Sequence, residues 1–347
     1  MSTNKNNKRI VCIALTLLLI CSFVTVGLAA DKGEVPQYET YTCLGDSIAA
    51  GLYSEQYTGA FKPCPTAYHS YLGEYVGAKT VNNYAFGAIT TDELRYLVDE
   101  KFEDDYTMEY TANAQTNGLY IIPSEMDKYK DDFRQAIKDS DLITIGIGSN
   151  DTFTYAWTTR PQKDSAFMLI EKILSGVGVD SEAVAKLHKI GNLILVAKYL
   201  VSTISDRIEV FKENWDGIFE GIRNLNYNAQ IVAISVINPF EGIKLSPESK
   251  FPIGKLFNIV VDIMNDYIEY GSHHSHKYVY CDICDMFTFC EGVYFSEAGD
   301  LNNFQSQIIP LAHPKAAGHK KIADKIVEDL ILASSVTGPT KWSEPKD

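Results

Sequence analysis

Basic side chains are scarce in this 347-residue chain. Lys and Arg number 31 against 45 Asp and Glu, and the formal net charge is −14. Phosphate binding needs a basic face, so the acidic balance argues against nucleic acid as the main partner and against electrostatic docking on anionic lipid. Cysteine is thin as well. Of seven, Cys12 and Cys21 fall in the first thirty residues, leaving Cys43, Cys64, Cys281, Cys284 and Cys290. Some of these can pair in an oxidising compartment, and an odd count leaves at least one thiol over. Cys281-Asp-Ile-Cys284 has the CxxC spacing but reads as strand, whereas a redox pair normally opens a helix. His273, His274 and His276 lack the spacing of helical metal ligands and have no evident Cys or acid partner, so they read as a polar loop and not as a metal site. Internal repeats are absent, and no transmembrane segment is apparent past the leader.

Apolar side chains are plentiful, at 46%, enough for a core of enzyme size. The length suits one large α/β domain with insertions, or at most two domains. The first thirty residues stand outside that domain. Lys5, Lys8 and Arg9 precede an almost unbroken apolar stretch at 10–26, and Gly27-Leu28-Ala29-Ala30 supplies small residues after it. This is the pattern of a secretory signal peptide over 1–30, with one domain at 31–347 and an extracellular location. The alternative is an uncleaved anchor, since the stretch is nearly long enough to span a bilayer. Only in that case is a membrane a partner. Cys21 is a poor lipoprotein site because Leu19 and Ile20 before it are bulky.

Past the leader, runs of strand length alternate with helical patterns. Residues 39–44, 79–84, 141–147, 230–236 and 278–283 read as strands. The third is apolar throughout, as expected of a strand covered on both faces. Residues 66–76, 90–98, 123–138, 207–225, 253–270 and 316–332 read as helices. In the fourth of them, Ile208, Phe211, Trp215, Ile218, Phe219 and Ile222 share one stripe. Strands separated by helices pair in parallel with right-handed crossovers, so an α/β fold with a parallel sheet of about five strands is expected. Two stretches interrupt the plan. Residues 101–120 are polar and read as a loop. Residues 152–205 read as a helical insertion with an apolar run at 190–204. It either packs on the core or walls an acyl site, because it follows a strand's carboxyl end. The tail from Ser334 reads as mobile.

In such a sheet, residues just past the carboxyl ends of strands meet the ligand. Past the first strand stands Gly45-Asp46-Ser47. A serine opening a helix is placed as a nucleophile beside unpaired N–H groups. Alone, the triplet would mean a turn with Ser47 as helix cap. It is not the Gly-x-Ser-x-Gly elbow, since Ala49 stands in the second glycine's place. Past the second strand, Asn83-Tyr84-Ala85-Phe86-Gly87-Ala88 contains a glycine whose N–H a ligand can approach, or a simple turn. Past the third, Gly148-Ser149-Asn150-Asp151 offers an amide donor, or an Asx turn. Gly146 and Gly148 begin a dinucleotide-like spacing, but Asp151 stands where the third glycine belongs. Asn150-Asp151-Thr152 is also a glycosylation sequon, poorly sited at a strand end. Near the end, His313-Pro314 precedes a helix, which leaves His313 on a loop where an imidazole can act as general base. His319, inside the helix, reads as packing or surface.

Together the four blocks resemble those of the GDSL/SGNH hydrolase superfamily, in the order Ser, Gly, Asn, His. The matching text is Cys-Leu-Gly-Asp-Ser-Ile-Ala-Ala-Gly from Cys43, Asn-Tyr-Ala-Phe-Gly-Ala from Asn83, the run from Asp141 to Asp151, and the block from His313. The likeness covers roughly 40–332 and is sharp only in the blocks. It implies a three-layer α/β/α flavodoxin-like fold and hydrolysis of carboxylic esters through an acyl-serine, with no metal or cofactor. By the same likeness Ser47 is the nucleophile and His313 the base. The oxyanion hole is then the Ser47 and Gly87 N–H groups with the Asn150 side chain.

One position departs from the pattern. The family usually carries Asp three residues before the histidine, and here that residue is Pro310. Either a backbone carbonyl near Pro310 accepts the imidazole N–H, giving a Ser-His dyad, or an acid such as Asp300 completes an atypical triad. Loss of the carboxylate costs about 10⁴ in rate where a triad depends on it. The expected partners are small-molecule, lipid or acylated-carbohydrate esters. The run at 190–204 leans toward acyl chains, while 21 Tyr and 16 Phe would also suit sugars. A reading from another class, prompted by Pro310, is a catalytically weak or inactive binding module of the same fold at the cell surface.

Overall fold

The computed structural model describes residues 33–87, 89–102, 123–154, 190–238, 258–274, 277–287 and 313–337. The leader at 1–30 lies outside them. Five strands, β1 (Thr40–Gly45), β2 (Thr80–Ala85), β3 (Leu142–Gly146), β4 (Gln230–Ile234) and β5 (Val279–Cys281), form one sheet in the order β2-β1-β3-β4-β5. Every neighbouring pair is parallel. The order is that of the flavodoxin-like doubly wound sheet, whose direction of winding reverses between β1 and β3. The helices are α1 (Ser47–Ala50), α2 (Tyr68–Tyr75), α3 (Thr91–Val98), α4 (Pro123–Lys138), α5 (Ile190–Leu225), α6 (Asn258–His274) and α7 (Ala316–Thr337).

Side chains alternate along each strand between two cores. Leu44, Ile143, Ile145, Ile231 and Ala233 point to one face, where α3, α4, α5 and α6 bury their apolar stripes. Tyr41, Cys43, Leu142, Val232, Ile234 and Cys281 point to the other, beneath α1, α2 and α7. The molecule is therefore a three-layer α/β/α sandwich. Each large apolar side chain removed from water contributes about 1.5–3 kcal/mol, and the stripe Ile208, Phe211, Trp215, Ile218, Phe219 and Ile222 lies wholly in the first core.

Several boundaries differ from the sequence reading. The helix expected at 207–225 begins at Ile190 and runs 36 residues, about 54 Å. No proline interrupts it, so the apolar run at 190–204 is the start of the same helix and not a separate element. Residues 155–189 of the expected insertion, and nearly all of the polar loop at 101–120, lie outside the described residues. α7 continues to Thr337, past the expected start of the tail. The Ser334 and Ser335 hydroxyls bond back to the carbonyls of Leu330 and Leu332 at 2.9 and 2.7 Å, which suits helix and not tail. β5 is only three residues long, and Cys284 opens a 3-10 turn, Cys284–Phe287. His273 and His274 close α6, while His276 and Cys290 fall outside the described residues. Cys43, Cys64 and Cys281 are buried thiols in no disulfide. Among the described residues no helix is long and apolar enough to cross a membrane.

The register of the sheet prepares the site. Gly45 pairs with Ala85 on one side and Gly146 on the other. β1, β2 and β3 thus end at one level, and the segments that follow start side by side. Gly45 permits this closeness. Its φ is +141°, and a Cβ there would lie 2.2 Å from the Gly146 carbonyl oxygen and 2.9 Å from Ala49 Cβ. The Asp46 N–H bonds the Gly146 carbonyl at 3.0 Å, and the Phe86 N–H bonds the Gly45 carbonyl at 3.1 Å. Gly45→Ala combines backbone strain with a clash against backbone. Urea unfolding should show a loss on the order of 3 kcal/mol or more.

Candidate active site

Helix α1 starts where β1 ends. Its N-cap is Asp46, in extended conformation, whose carboxylate accepts the Ile48 N–H at 2.9 Å. Ser47 is therefore the first helical residue and not the cap, which leaves its hydroxyl for other use. Such a cap stabilises by about 1 kcal/mol. Asp46 is buried, and burial pushes its pKa up to about 7 against the pull of the Ile48 and Ala49 N–H groups.

His313 reaches this serine from the far end of the chain. Its Nε2 lies 2.8 Å from Ser47 Oγ, a hydrogen-bond distance suited to proton transfer. His313 is 6% exposed, and the Tyr53 ring stands 5.0 Å from its imidazole, centroid to centroid. Pro310 and Asp300, the two places from which the sequence suggested that His313 is oriented, lie outside the described residues.

The other two blocks meet at the same edge. Asn150 opens a π-helical turn, Asn150–Thr154, just past β3. It is 8% exposed, and its Nδ2 donates to the Ile89 carbonyl at 2.9 Å. That bond ties the third block to the chain just past Gly87, which is itself buried two residues beyond β2. An amide NH₂ carries two hydrogens, and an oxyanion role requires the second. A buried, hydrogen-bonded Asn150 is unsuited to carry a glycan. Gly148 makes the turn into this block at φ +128°, where a Cβ would come within 2.9 Å of Met264 Cε and 3.0 Å of Phe211 Cε2. Behind α1, a cavity of about 20 Å³ is lined by Asp46, Ile48, Gly146, Ser149, Ser235 and Ile237. It has room for about one water and is far too small for a substrate, whose pockets run to several hundred Å³.

Two groups that hold the site, Asp151 and His69, had no local signal in the sequence. Asp151, noted there only as a misfit to a dinucleotide motif, is fully buried. Its carboxylate accepts the Thr91 N–H at 3.1 and 3.2 Å and also the Thr91 hydroxyl. Arg207 stands 3.7 Å from it and 2.7 Å from Asp92. Burial pushes the Asp151 pKa up to about 7, while Thr91 and Arg207 pull it down. His69 receives the Cys64 N–H on Nε2 at 2.9 Å, so its Nδ1 carries the proton that meets the Ala49 carbonyl at 3.0 Å. Burial lowers its pKa to about 4. His319, expected as packing or surface, is fully buried beside the Tyr68 ring, and burial holds its pKa down at about 3.

Thr90 and Glu93 form a capping box in which the Glu93 carboxylate accepts the Thr90 N–H and, at 3.0 Å, the Thr90 hydroxyl. Burial raises the Glu93 pKa from 4.5 to about 8, with the nearby Asp151 charge adding to the rise. A raised pKa means the native state holds its proton longer than the unfolded chain. The resulting stabilisation is complete below about pH 4.5 and is lost as pH rises to about 8. Glu93→Gln keeps an acceptor for the cap but does not titrate. Its melting temperature should fall less between pH 5 and pH 8.5 than that of the wild type. An equal fall in both would show that Glu93 is ionised throughout.

A search of curated proteins finds none that matches. Among solved structures, the chain is similar to the extracellular lipase from Streptomyces rimosus, at 15% identity and TM-score 0.48, over 82% of this chain and 98% of that one. It is also similar to phospholipase A1 from Streptomyces albidoflavus NA297, at 16% and 0.46, over 84% and 98%. A third similar structure is a family two carbohydrate esterase from Clostridium thermocellum, at 10% and 0.40, over 88% and 66%. The sequence profile of the GDSL-like Lipase/Acylhydrolase family matches residues 43–321. That span runs from the β1 block through the β2 and β3 blocks to His313 and into α7, and the chain belongs to this family.

Proposed function

We propose that the protein is a secreted carboxylic ester hydrolase working through an acyl-serine, with Ser47 as nucleophile and His313 as general base. The observation that carries this reading is the 2.8 Å contact between His313 Nε2 and Ser47 Oγ, made by residues 266 positions apart. His313 takes the Ser47 proton as Oγ attacks the ester carbonyl carbon. The carbonyl electrons pass to oxygen, and the oxyanion meets the Ser47 and Gly87 N–H groups and the Asn150 amide. On collapse, His313 returns the proton to the leaving alcohol. Water then attacks the acyl-serine in the same way, releasing the acid and restoring Ser47.

Secretion is supported by the leader pattern at 1–30. The substrate class, lipid or acylated carbohydrate, is supported by the apolar start of α5 for the first and by the abundance of aromatics for the second. The alternative of a weak or inactive binding module draws on Pro310 alone, and the assembled Ser47–His313 pair favours the enzyme.

The test is hydrolysis of nitrophenyl esters of increasing acyl length. Ser47→Ala and His313→Ala should each lower kcat/KM by about 10⁴-fold or more, and Asn150→Ala by about 10²- to 10³-fold. A preference for acetyl would mark an acetylesterase, and a preference for long chains a lipase. Wild-type rates in Ser47→Ala would place the chemistry elsewhere.

A further inference from the structure

The chain just downstream of the nucleophile reaches across to the histidine and to the helix that follows it. Gly51 turns the backbone out of α1 at φ +82°. Tyr53 then follows at φ +63°, in the left-handed region that only a few per cent of non-glycine residues adopt. Such a conformation persists where the surroundings over-determine it, and they do so here. Ser54 Oγ bonds Thr66 Oγ1 and lies 3.2 Å from Cys64 Sγ. The Cys64 N–H is held by His69, and Asn83 Nδ2 donates to the Lys62 carbonyl at 2.9 Å. The loop so anchored sets the Tyr53 ring against the His313 imidazole, centroids 5.0 Å apart and planes tilted by 50°. Two residues on, Glu55 Oε2 accepts the Ala316 N–H at 2.9 Å. Ala316 is the first residue of α7, three beyond His313. An exposed glutamate of another segment thus caps the helix that His313 precedes.

We propose that Tyr53 and Glu55 are positioning residues, a strap from the nucleophile's own loop that sets the His313 ring against Ser47. The proposal rests on the hydrolase reading above and deepens it. Both partners of the proton transfer are mounted on one short piece of chain, Ser47 covalently and His313 through the Tyr53 ring and the Glu55 cap. Transfer requires the ring nitrogen to stay within hydrogen-bond reach, and a displacement of about 1 Å can cost on the order of 10²-fold in rate. Pro310 brings no carboxylate to this task. A tyrosine at a position whose backbone favours glycine is accounted for by what its ring does.

The test reads the activation of Ser47 without knowledge of the natural ester. The full chain is treated with a fluorophosphonate, which loses fluoride as Ser47 Oγ bonds to phosphorus. Both the limiting rate and the half-saturating concentration are measured, with melting temperatures alongside. Tyr53→Leu should lower the limiting rate about tenfold and Glu55→Ala about threefold to tenfold, each with little change in half-saturation. Tyr53→Phe should recover most of the rate. Tyr53→Gly relieves the backbone, so it should melt no lower than the wild type and yet lose as much rate as Tyr53→Leu. Wild-type limiting rates in Tyr53→Leu and Tyr53→Gly, with Ser47→Ala unlabelled, would overturn the strap and leave the hydrolase reading standing. Losses confined to half-saturation would also overturn it, by making Tyr53 a substrate contact. Equal labelling of Ser47→Ala would remove the hydrolase reading, and the strap with it.

Discussion

The backbone of β1 passes so near that of β3 at Gly45 that a single methylene would strike the Gly146 carbonyl. That approach is the constraint on which the site depends. It lets the chain leave β1 over the end of β3, bonding the Asp46 N–H to the Gly146 carbonyl, and so places Ser47 above the middle of the sheet. The shared level of Gly45, Ala85 and Gly146 brings the second and third blocks alongside. A ladder slipped by one residue would exchange the two faces of a strand, putting Leu44 and Cys43 each into the wrong core.

Loops at strand ends bury too little apolar surface to hold themselves, and here polar groups hold them. Asp46, Glu93 and Asp151 are buried carboxylates that each accept a backbone N–H at a helix start. Desolvating an acid is costly unless its hydrogen bonds compensate, and the raised pKa of each shows burial outweighing its partners. His69 and His319 are held in their neutral forms by the same burial. The edge that carries Ser47 is thus fastened by carboxylates and an imidazole whose protonation matters, while the two cores beneath it are held mainly by apolar burial.

Most of the fold was legible because its signals are local. The apolar run at β3 and the 3.6-residue stripe of α5 each state their element within a dozen residues. The differences arose at the ends of elements. An apolar run with a different texture at 190–204 looked like a new element but continues α5, since nothing in it stops a helix. Ser334 and Ser335 looked like a tail but satisfy themselves against carbonyls one turn back. Tyr278 and Ile283 frame a β5 that is only three residues long, because Cys284 has already turned away.

The amino-acid sequence by itself determined the alternation of strand and helix, the parallel sheet, and the four short blocks that carry the family likeness. Each is a matter of periodicity or of neighbouring residue types, and neighbours in sequence are enough to express it. The tertiary structure decided which distant groups meet. No spacing in the chain announces that His313 will stand 2.8 Å from Ser47, that Asp151 will receive Thr91 and face Arg207, or that Tyr53 will lie against His313. Those contacts exist because strand register and helix packing set the separations, and both are properties of the folded chain as a whole.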